Sequence, residues 1–466
     1  MIMKLTTESA KANGDVSIAS ERMGYVGQGY ATGFLQQEDS LTFPITMDEE
    51  GQYQITVMAA VTIFGEGPKW NAFFVNGDKL GDIMTPDTPD FVPCMYPKAY
   101  LRNGINEITI MKNWGGIDID SILIEKAPST DRSRFHVTPL LVDSNAAPYT
   151  RRLMNYLCDS YGHRILSGQE TGGSNPPELE VIKRETGKLP AIRGLDFIDY
   201  SPSRLPFGST SQETEEAIAW WRDGGIVTFC WHWNAPTDLI NQPNKMWYSG
   251  FYTYATEFDL AKALENQESE AYRLILRDID AIALQLQILQ EHEVPVLWRP
   301  LHEAAGGWFW WGAKGAEACI QLWRLMYKRL TVHHQLHNLI WVWNGQGKDW
   351  YPGDDVVDII GEDIYGGPRF YSSQYGRFHD ALSYTTANKI IALTENGTIP
   401  DPDLLEQDEA AWAWFCTWAG EFVWKETSGE RTYSDKHTEV NMLRKVYSHS
   451  KVVTKDHLPN LQTYRL

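Results

Sequence analysis

At 466 residues the chain exceeds what one ordinary hydrophobic core fills, so two or three domains are expected. Its formal net charge of −20 repels phosphate backbones and anionic membranes at long range, which excludes nucleic-acid and membrane-surface binding and suits an uncharged partner. The hydrophobic fraction, 43%, is ordinary, whereas 19 Trp and 22 Tyr are not. Part of that aromatic load belongs in cores, and part is what a protein uses to stack on the C–H faces of sugar rings.

The N-terminus, Met1-Ile2-Met3-Lys4 followed by Thr, Glu and Ser, holds no apolar run of the signal-peptide kind, and no later stretch is long enough to span a bilayer. Two locations stay open: an extracellular protein whose leader is not part of this sequence, which is the expectation, and a cytoplasmic one. The five cysteines, Cys94, Cys158, Cys230, Cys319 and Cys416, are far apart and fit neither zinc spacing nor a disulfide framework, so buried thiols are expected.

Residues 1–127 read as all-β. Tyr53, Ile55, Val57 and Ala59 alternate with Gln54, Thr56 and Met58, and Ile117 and Ile119 alternate with Asp118 and Asp120. Asn76-Gly77 after Ala72-Phe73-Phe74-Val75 is a strong hairpin signal. No helical stripe interrupts this segment, which predicts an antiparallel jelly-roll sandwich. Residues 128–138 form a short polar linker.

Residues 139–466 change character: apolar strand-like runs alternate with helical stretches. The runs are Arg164–Gly168, Leu189–Tyr200, Gly225–Trp233, Val294–His302, Leu339–Asn344, Val357–Tyr365, Lys389–Glu395 and Trp412–Trp418. Ala271–Leu286, after the third, has amphipathic-helix spacing. Eight such units predict a (β/α)8 TIM barrel; a doubly wound sheet fits less well, because no glycine-rich phosphate loop follows the first run.

A TIM barrel carries its site at the C-terminal ends of its strands. Those ends hold Gln169 and Glu170, Asp196 and Asp199, His232 and Trp233, His302 and Glu303, Trp343 and Asn344, Glu362 to Tyr365, Glu395 and Asn396, and Trp418. Glu303 and Glu395 close the fourth and seventh runs, which face each other across a barrel mouth. Two carboxyl groups on one cleft suit glycosidic bond cleavage: one protonates the leaving oxygen, the other attacks the anomeric carbon or activates water. A separation of about 5–5.5 Å would give retention and a wider one inversion. Glu303 precedes Ala304-Ala305-Gly306-Gly307-Trp308-Phe309-Trp310-Trp311-Gly312; indole walls would desolvate it and raise its pKa, as a proton donor needs. Glu395, between Thr394 and Asn396, has polar neighbours that suit an ionised group.

Several other features carry less. Among His333, His334 and His337 one pair has zinc-compatible spacing, but no acidic residue shares the motif. Trp220-Trp221 suits helix–barrel packing, Asp196 and Asp199 suit either rim salt bridges or a distal sugar, and Asp354-Asp355 suits a turn and helix cap.

The segments Arg299-Pro300-Leu301-His302-Glu303, Gly306–Gly312 and Thr394-Glu395-Asn396-Gly397 together resemble the acid/base and nucleophile motifs of glycoside hydrolase family 26. That resemblance implies a retaining double displacement on β-1,4-mannans, with Glu303 as acid/base, Glu395 as nucleophile and no catalytic cofactor. It further implies that His302 orients the nucleophile or sugar hydroxyls, that Trp308 packs beside the −1/+1 sugars and that Tyr365 positions the nucleophile. His232 and Trp418 would line the −1 subsite, with Phe309 in the same substrate-binding set. Asn396-Gly397 departs from the acidic or small residue plus Gly usual there.

In the N-terminal part, Gly24–Tyr30, Val75-Asn76-Gly77, Gly104-Ile105-Asn106 and Asn113–Asp120 resemble a family 35 carbohydrate-binding module. This implies a ligand contact at Trp114, expected between the last two strands, and a structural calcium near Glu8 and Asp120. The implied partner is a β-mannan-type polysaccharide or oligosaccharide. The alternatives are the same mechanism on mixed-linkage β-glucan or β-1,3-xylan, and a catalytically silent carbohydrate-binding protein, which would have no need of both carboxylates.

Overall fold

The computed structural model describes residues 2–466. The chain divides into two compact units. One runs to Asp131 and includes Phe370–Asp380 and Pro400–Ala410; the other comprises Arg132–Arg369, Ala381–Ile399 and Ala411–Leu466.

The first unit is built on two antiparallel sheets. Gly51–Val61 lies between Ile117–Lys126 and Val92–Leu101 in a six-stranded sheet, and Gly104–Trp114 lies between Ser40–Met47 and Lys69–Val75 in a five-stranded one. Their inner faces share one core that includes Phe43, Ile55, Val57, Phe73, Ile110 and Ile119. The jelly-roll expectation holds. Lys69–Val75 and Asp78–Thr85 pair directly across Asn76-Gly77, where both residues have positive φ, +53° and +88°, as the hairpin turn requires.

Simple alternation fails over Asp118 and Asp120. Both are buried, at 3% exposure; at Asp120 a β-bulge shifts the register between Ile119 and Ser121. Burial is tolerated because the carboxylates are bonded. Asp118 accepts from Arg22 at 2.8 Å and Thr32 at 2.6 Å, and Asp120 accepts from the Val26 amide at 2.7 Å and Ser121 at 2.8 Å.

The second unit is a closed parallel barrel. Its strands are β1 (Ile165–Glu170), β2 (Ile192–Asp196), β3 (Ile226–Cys230), β4 (Val296–Arg299), β5 (Leu339–Trp343), β6 (Ile359–Ile364), β7 (Ile390–Asn396) and β8 (Trp414–Thr417). Each pairs with the next, and β1 pairs with both β2 and β8, so the sheet has no free edge between them. All eight expected runs are strands, and the TIM-barrel reading stands.

The helix after β3 covers Glu270–Glu291 and buries Ile275, Ile279, Ile282, Leu286 and Leu289 along one stripe. Each such side chain contributes about 1.5–3 kcal/mol on burial. Ser269 caps the helix, its hydroxyl accepting from the Tyr272 amide at 3.1 Å.

Most of the indoles are interior, Trp231, Trp298, Trp341 and Trp414 among them, while Trp114 and Trp308 stay open. All five cysteines are free. His334 and His337 each pair with a separate acid, Asp280 and Asp143, both at 2.7 Å. Among the described residues neither joins a three-ligand cluster. Trp220 and Trp221 are buried on the helix Glu213–Arg222. Asp354-Asp355 is a turn but caps no helix: Asp355 pairs with Arg324 at 2.7 Å instead. No helix of the described residues is long and apolar enough to cross a membrane.

Candidate active site

Strand β4 ends at Arg299, and the chain then leaves the sheet abruptly. Leu301 and Glu303 both take left-handed backbone angles, φ +53° and +54°, a conformation non-glycine residues hold only where surrounding contacts enforce it. The contacts here come from the next strand. The Glu303 amide donates to the Asn344 carbonyl at 2.7 Å and to its side-chain oxygen at 3.0 Å. Past Glu303 the chain doubles back, and a Cβ on Gly306 would lie 2.1 Å from the Trp308 ring. Trp308 folds over in that space and donates its Nε1–H to Glu303 Oε2 at 3.0 Å.

On the opposite side, β7 carries a register shift against β6: Glu362 pairs with Leu393, but Asp363 pairs with Glu395. Thr394 is the extra residue, and the bulge re-aims the residues around it. Asn344 Nδ2 donates to Thr394 Oγ1 at 2.8 Å, and that hydroxyl donates to Asp363 at 2.7 Å. Asp363 accepts from Arg299 at 2.9 Å, and the other arm of the guanidinium bonds Glu395 Oε1. A belt of hydrogen bonds thus runs from the Glu303 amide through Asn344, Thr394, Asp363 and Arg299 to Glu395. Within it, one carboxyl oxygen from each of Glu303, Asp363 and Glu395 lies within 4.8 Å of the others. Tyr365, after β6, donates its hydroxyl to Glu395 Oε2 at 2.6 Å.

Three carboxyl groups and one guanidinium share this site, so mutual repulsion opposes ionising all three. Burial, reinforced by the charge of Glu395, pushes Glu303 up to about 7, against the pull of Trp308, Arg299 and His232. Burial likewise pushes Asp363 above the usual carboxylate range. Glu395 is bonded to both Arg299 and Tyr365, as an anion poised for attack would be. One acid holds a proton near neutrality while its partner sits on a cation, the division of labour a proton donor and a nucleophile need.

The other expected site residues surround the pair. His232 follows β3, and Trp418 follows β8 with its ring 5.7 Å from the His232 ring. His302 sits beside Glu303, but its ring does not reach the nucleophile. Its Nε2 meets His232 Nε2 at 3.2 Å, so Arg299 and Tyr365 hold Glu395, and His302 does not. Phe309 is also placed differently from a sugar platform. It is 4% exposed, with its faces taken by Trp311 at 4.5 Å and Tyr252 at 5.5 Å, and it supports the two histidines from behind. Trp308 and Tyr365, at 45% and 44% exposure, are the rings open to solvent.

Sequence reasoning placed Asn344 and Asp363 at the strand ends and Arg299 in the acid/base motif, but gave none of them a partner or a role. The available signal was a charged residue inside an apolar strand run, which in a closed barrel has to be paired.

In the first unit, Trp114 ends a strand instead of sitting in the following loop, and is 56% exposed. Its ring lies 5.7 Å from Trp70, and Lys69 Nζ lies 5.3 Å from its centroid. Glu8 and Asp120 bracket one loop, bonding the amides of Gln28 and Val26 respectively. Among the described residues no third acidic, imidazole or thiol side chain joins them. Two hard oxygen donors suit calcium, with backbone carbonyls or water needed to complete its shell.

A barrel that brings carboxyl groups from β4 and β7 this close, one pushed up toward neutrality and one ion-paired, defines a glycoside hydrolase with the spacing of a retaining enzyme. The comparisons agree. The model of glycosyl hydrolase family 26 matches residues 142–457, and that of carbohydrate binding module family 35 matches residues 5–127. The chain belongs to glycosyl hydrolase family 26. It is 40% identical to a mannan endo-1,4-beta-mannosidase of Thermothelomyces thermophilus over 96% of this chain and 88% of that protein. It is similar to the crystal structure of a Podospora anserina GH26-CBM35 beta-(1,4)-mannanase, with 39% identity, TM-score 0.69 and 99% of each chain covered. A beta-mannanase from a symbiotic protist of the termite Reticulitermes speratus, complexed with gluco-manno-oligosaccharide, is 32% identical with TM-score 0.61, covering 70% of this chain and 99% of that one.

Proposed function

We propose that the chain is a retaining endo-β-1,4-mannanase acting on mannan, glucomannan or galactomannan. Glu303 gives its proton to the leaving glycosidic oxygen while the Glu395 carboxylate attacks the anomeric carbon, forming a glycosyl ester. Glu303, now a carboxylate, takes a proton from water, which attacks the same carbon and releases Glu395. The carboxyl oxygens within 4.8 Å carry this reading, because no water fits between groups so close for the single displacement of an inverting enzyme. His232, Trp308, Tyr365 and Trp418 line the −1/+1 region, and His302 contributes from below it. Mannan as substrate is supported by the names of the relatives at 40% and 32% identity. The test is the product profile from mannohexaose beside barley β-glucan: internal cleavage of the mannan is expected, and activity on the glucan alone overturns the substrate while leaving the mechanism. A polysaccharide substrate too large to enter a cell supports an extracellular enzyme, to be checked by its recovery from the host's culture fluid.

The first unit holds the enzyme on polysaccharide through Trp114. Trp114→Ala should weaken retention on insoluble mannan at least about tenfold, the loss expected for an exposed aromatic anchor, and leave turnover of mannohexaose unchanged. Unaltered retention would remove Trp114 from the binding surface. Glu8 and Asp120 would hold a structural calcium whose role is to fix the loop they bracket. Calcium added to chelated protein should raise Tm, and Glu8→Ala should abolish that rise.

A further inference from the structure

His302 is buried, and its Nε2 faces His232 Nε2 at 3.2 Å, so one proton lies between the two rings. The far side of His232 is anchored by Asp196 at the end of β2. Its Oδ2 lies 2.6 Å from His232 Nδ1, and its Oδ1 accepts the His232 amide at 3.0 Å and the Ile198 amide at 2.9 Å. The carboxylate therefore grips both the backbone and the ring of His232. His302 Nδ1 is buried and makes no hydrogen bond among the described residues. With His232 protonated, Nε2 of His302 must accept and its own proton moves to Nδ1; with His232 neutral, His302 Nε2 donates and Nδ1 becomes an acceptor.

Resting on the mannanase reading, we propose that Asp196 is a positioning residue of the reaction, which through His232 sets the tautomer of His302 and supplies a cation beside Glu303. The groups facing this chain are few. Cys230 Sγ lies 3.9 Å from His232 Nδ1, and Glu395, Arg299 and Glu303 interact with His232 across the barrel mouth. Glu170 and Glu213 interact with Asp196 from β1 and from the helix after β2. Burial opposes charge on His232, but Asp196 and Glu395 outweigh it and raise its pKa, whereas burial and the neighbouring His232 and Arg299 hold His302 well below the ordinary range. The ion pair with Asp196 accordingly favours the proton between the rings on His232.

Asp196→Asn removes the charge and keeps the volume. A cation near a carboxyl group favours its ionised form, so losing the charge on His232 raises the pKa of Glu303. The expected result on mannohexaose is a kcat lowered about tenfold to a hundredfold, as for other loss of a histidine's anchoring partner. The alkaline limb of kcat/KM should move to higher pH, and Asp196→Glu should restore it toward the wild-type position. A purely structural role would lower Tm and leave that limb in place, which overturns the proposal. Nitrogen-15 spectra of histidine-labelled wild-type protein give a readout independent of turnover and of the variant's folding. Protonated Nδ1 on His232 and on His302, assigned with His232→Gln and His302→Gln, is expected; an unprotonated Nδ1 on either overturns the proposal. Wild-type turnover of mannohexaose reports separately on the mannanase reading.

Discussion

Glu395→Ala should lower mannan hydrolysis by about 10⁴-fold or more, since removing a nucleophile alone forfeits nearly all chemical catalysis. That loss corresponds to at least about 5 kcal/mol of transition-state stabilisation. Binding through Trp114 should be unaffected, because the two groups lie in different compact units. Azide separates the roles of the two acids. In the Glu395→Ala protein it can occupy the vacated space and attack an activated aryl mannoside once, giving an α-mannosyl azide. With Glu303→Ala, azide instead attacks the glycosyl ester on Glu395 and gives the β-azide. The opposite pattern would exchange the assignments, and near-normal turnover by Glu395→Ala would discard the nucleophile altogether.

Glu303→Gln should cost about 10²- to 10⁴-fold on mannan, the range for losing a general acid, and much less in the first step with an aryl mannoside whose leaving group needs no proton. The pH profile carries the sharper signature. Glu303 must be protonated to act and is held up to about 7, so wild-type kcat/KM should fall tenfold per pH unit above that value. The Gln variant should lack this limb. Part of the upward shift comes from the charge of Glu395, which disappears when that residue is esterified. Glu303 then becomes a stronger acid: its pKa drops, it stays ionised after giving up its proton, and it is ready to deprotonate water in the second step. A limb that persists in Glu303→Gln would show that another group titrates.

The sequence was most informative where periodicity decides. Eight apolar runs separated by crossovers become eight strands, and counting them places Glu303 and Glu395 across one mouth. Asn76-Gly77 names its own turn, because few residues accept two successive positive φ angles. What periodicity could not convey is the partner of a buried polar group. Asp118 and Asp120 look solvent-facing until the bulge beside them is seen. The family resemblance left His302 to orient either the nucleophile or sugar hydroxyls, and only the folded barrel shows its ring meeting His232, 70 positions earlier. Arg299 and Asp363 were visible as letters within apolar runs, but their pairing depends on barrel closure and on the bulge at Thr394, neither of which is a local property.

That bulge and the belt around it act as a ruler. The hydrogen bonds linking the Glu303 amide to Asn344, Thr394, Asp363, Arg299 and Glu395 fix how far apart the two carboxyl groups stand. Lengthening that path by only a few ångströms would admit a water between Glu395 and the anomeric carbon and release the opposite anomer. The handedness of the product is therefore recorded in side chains that never touch it.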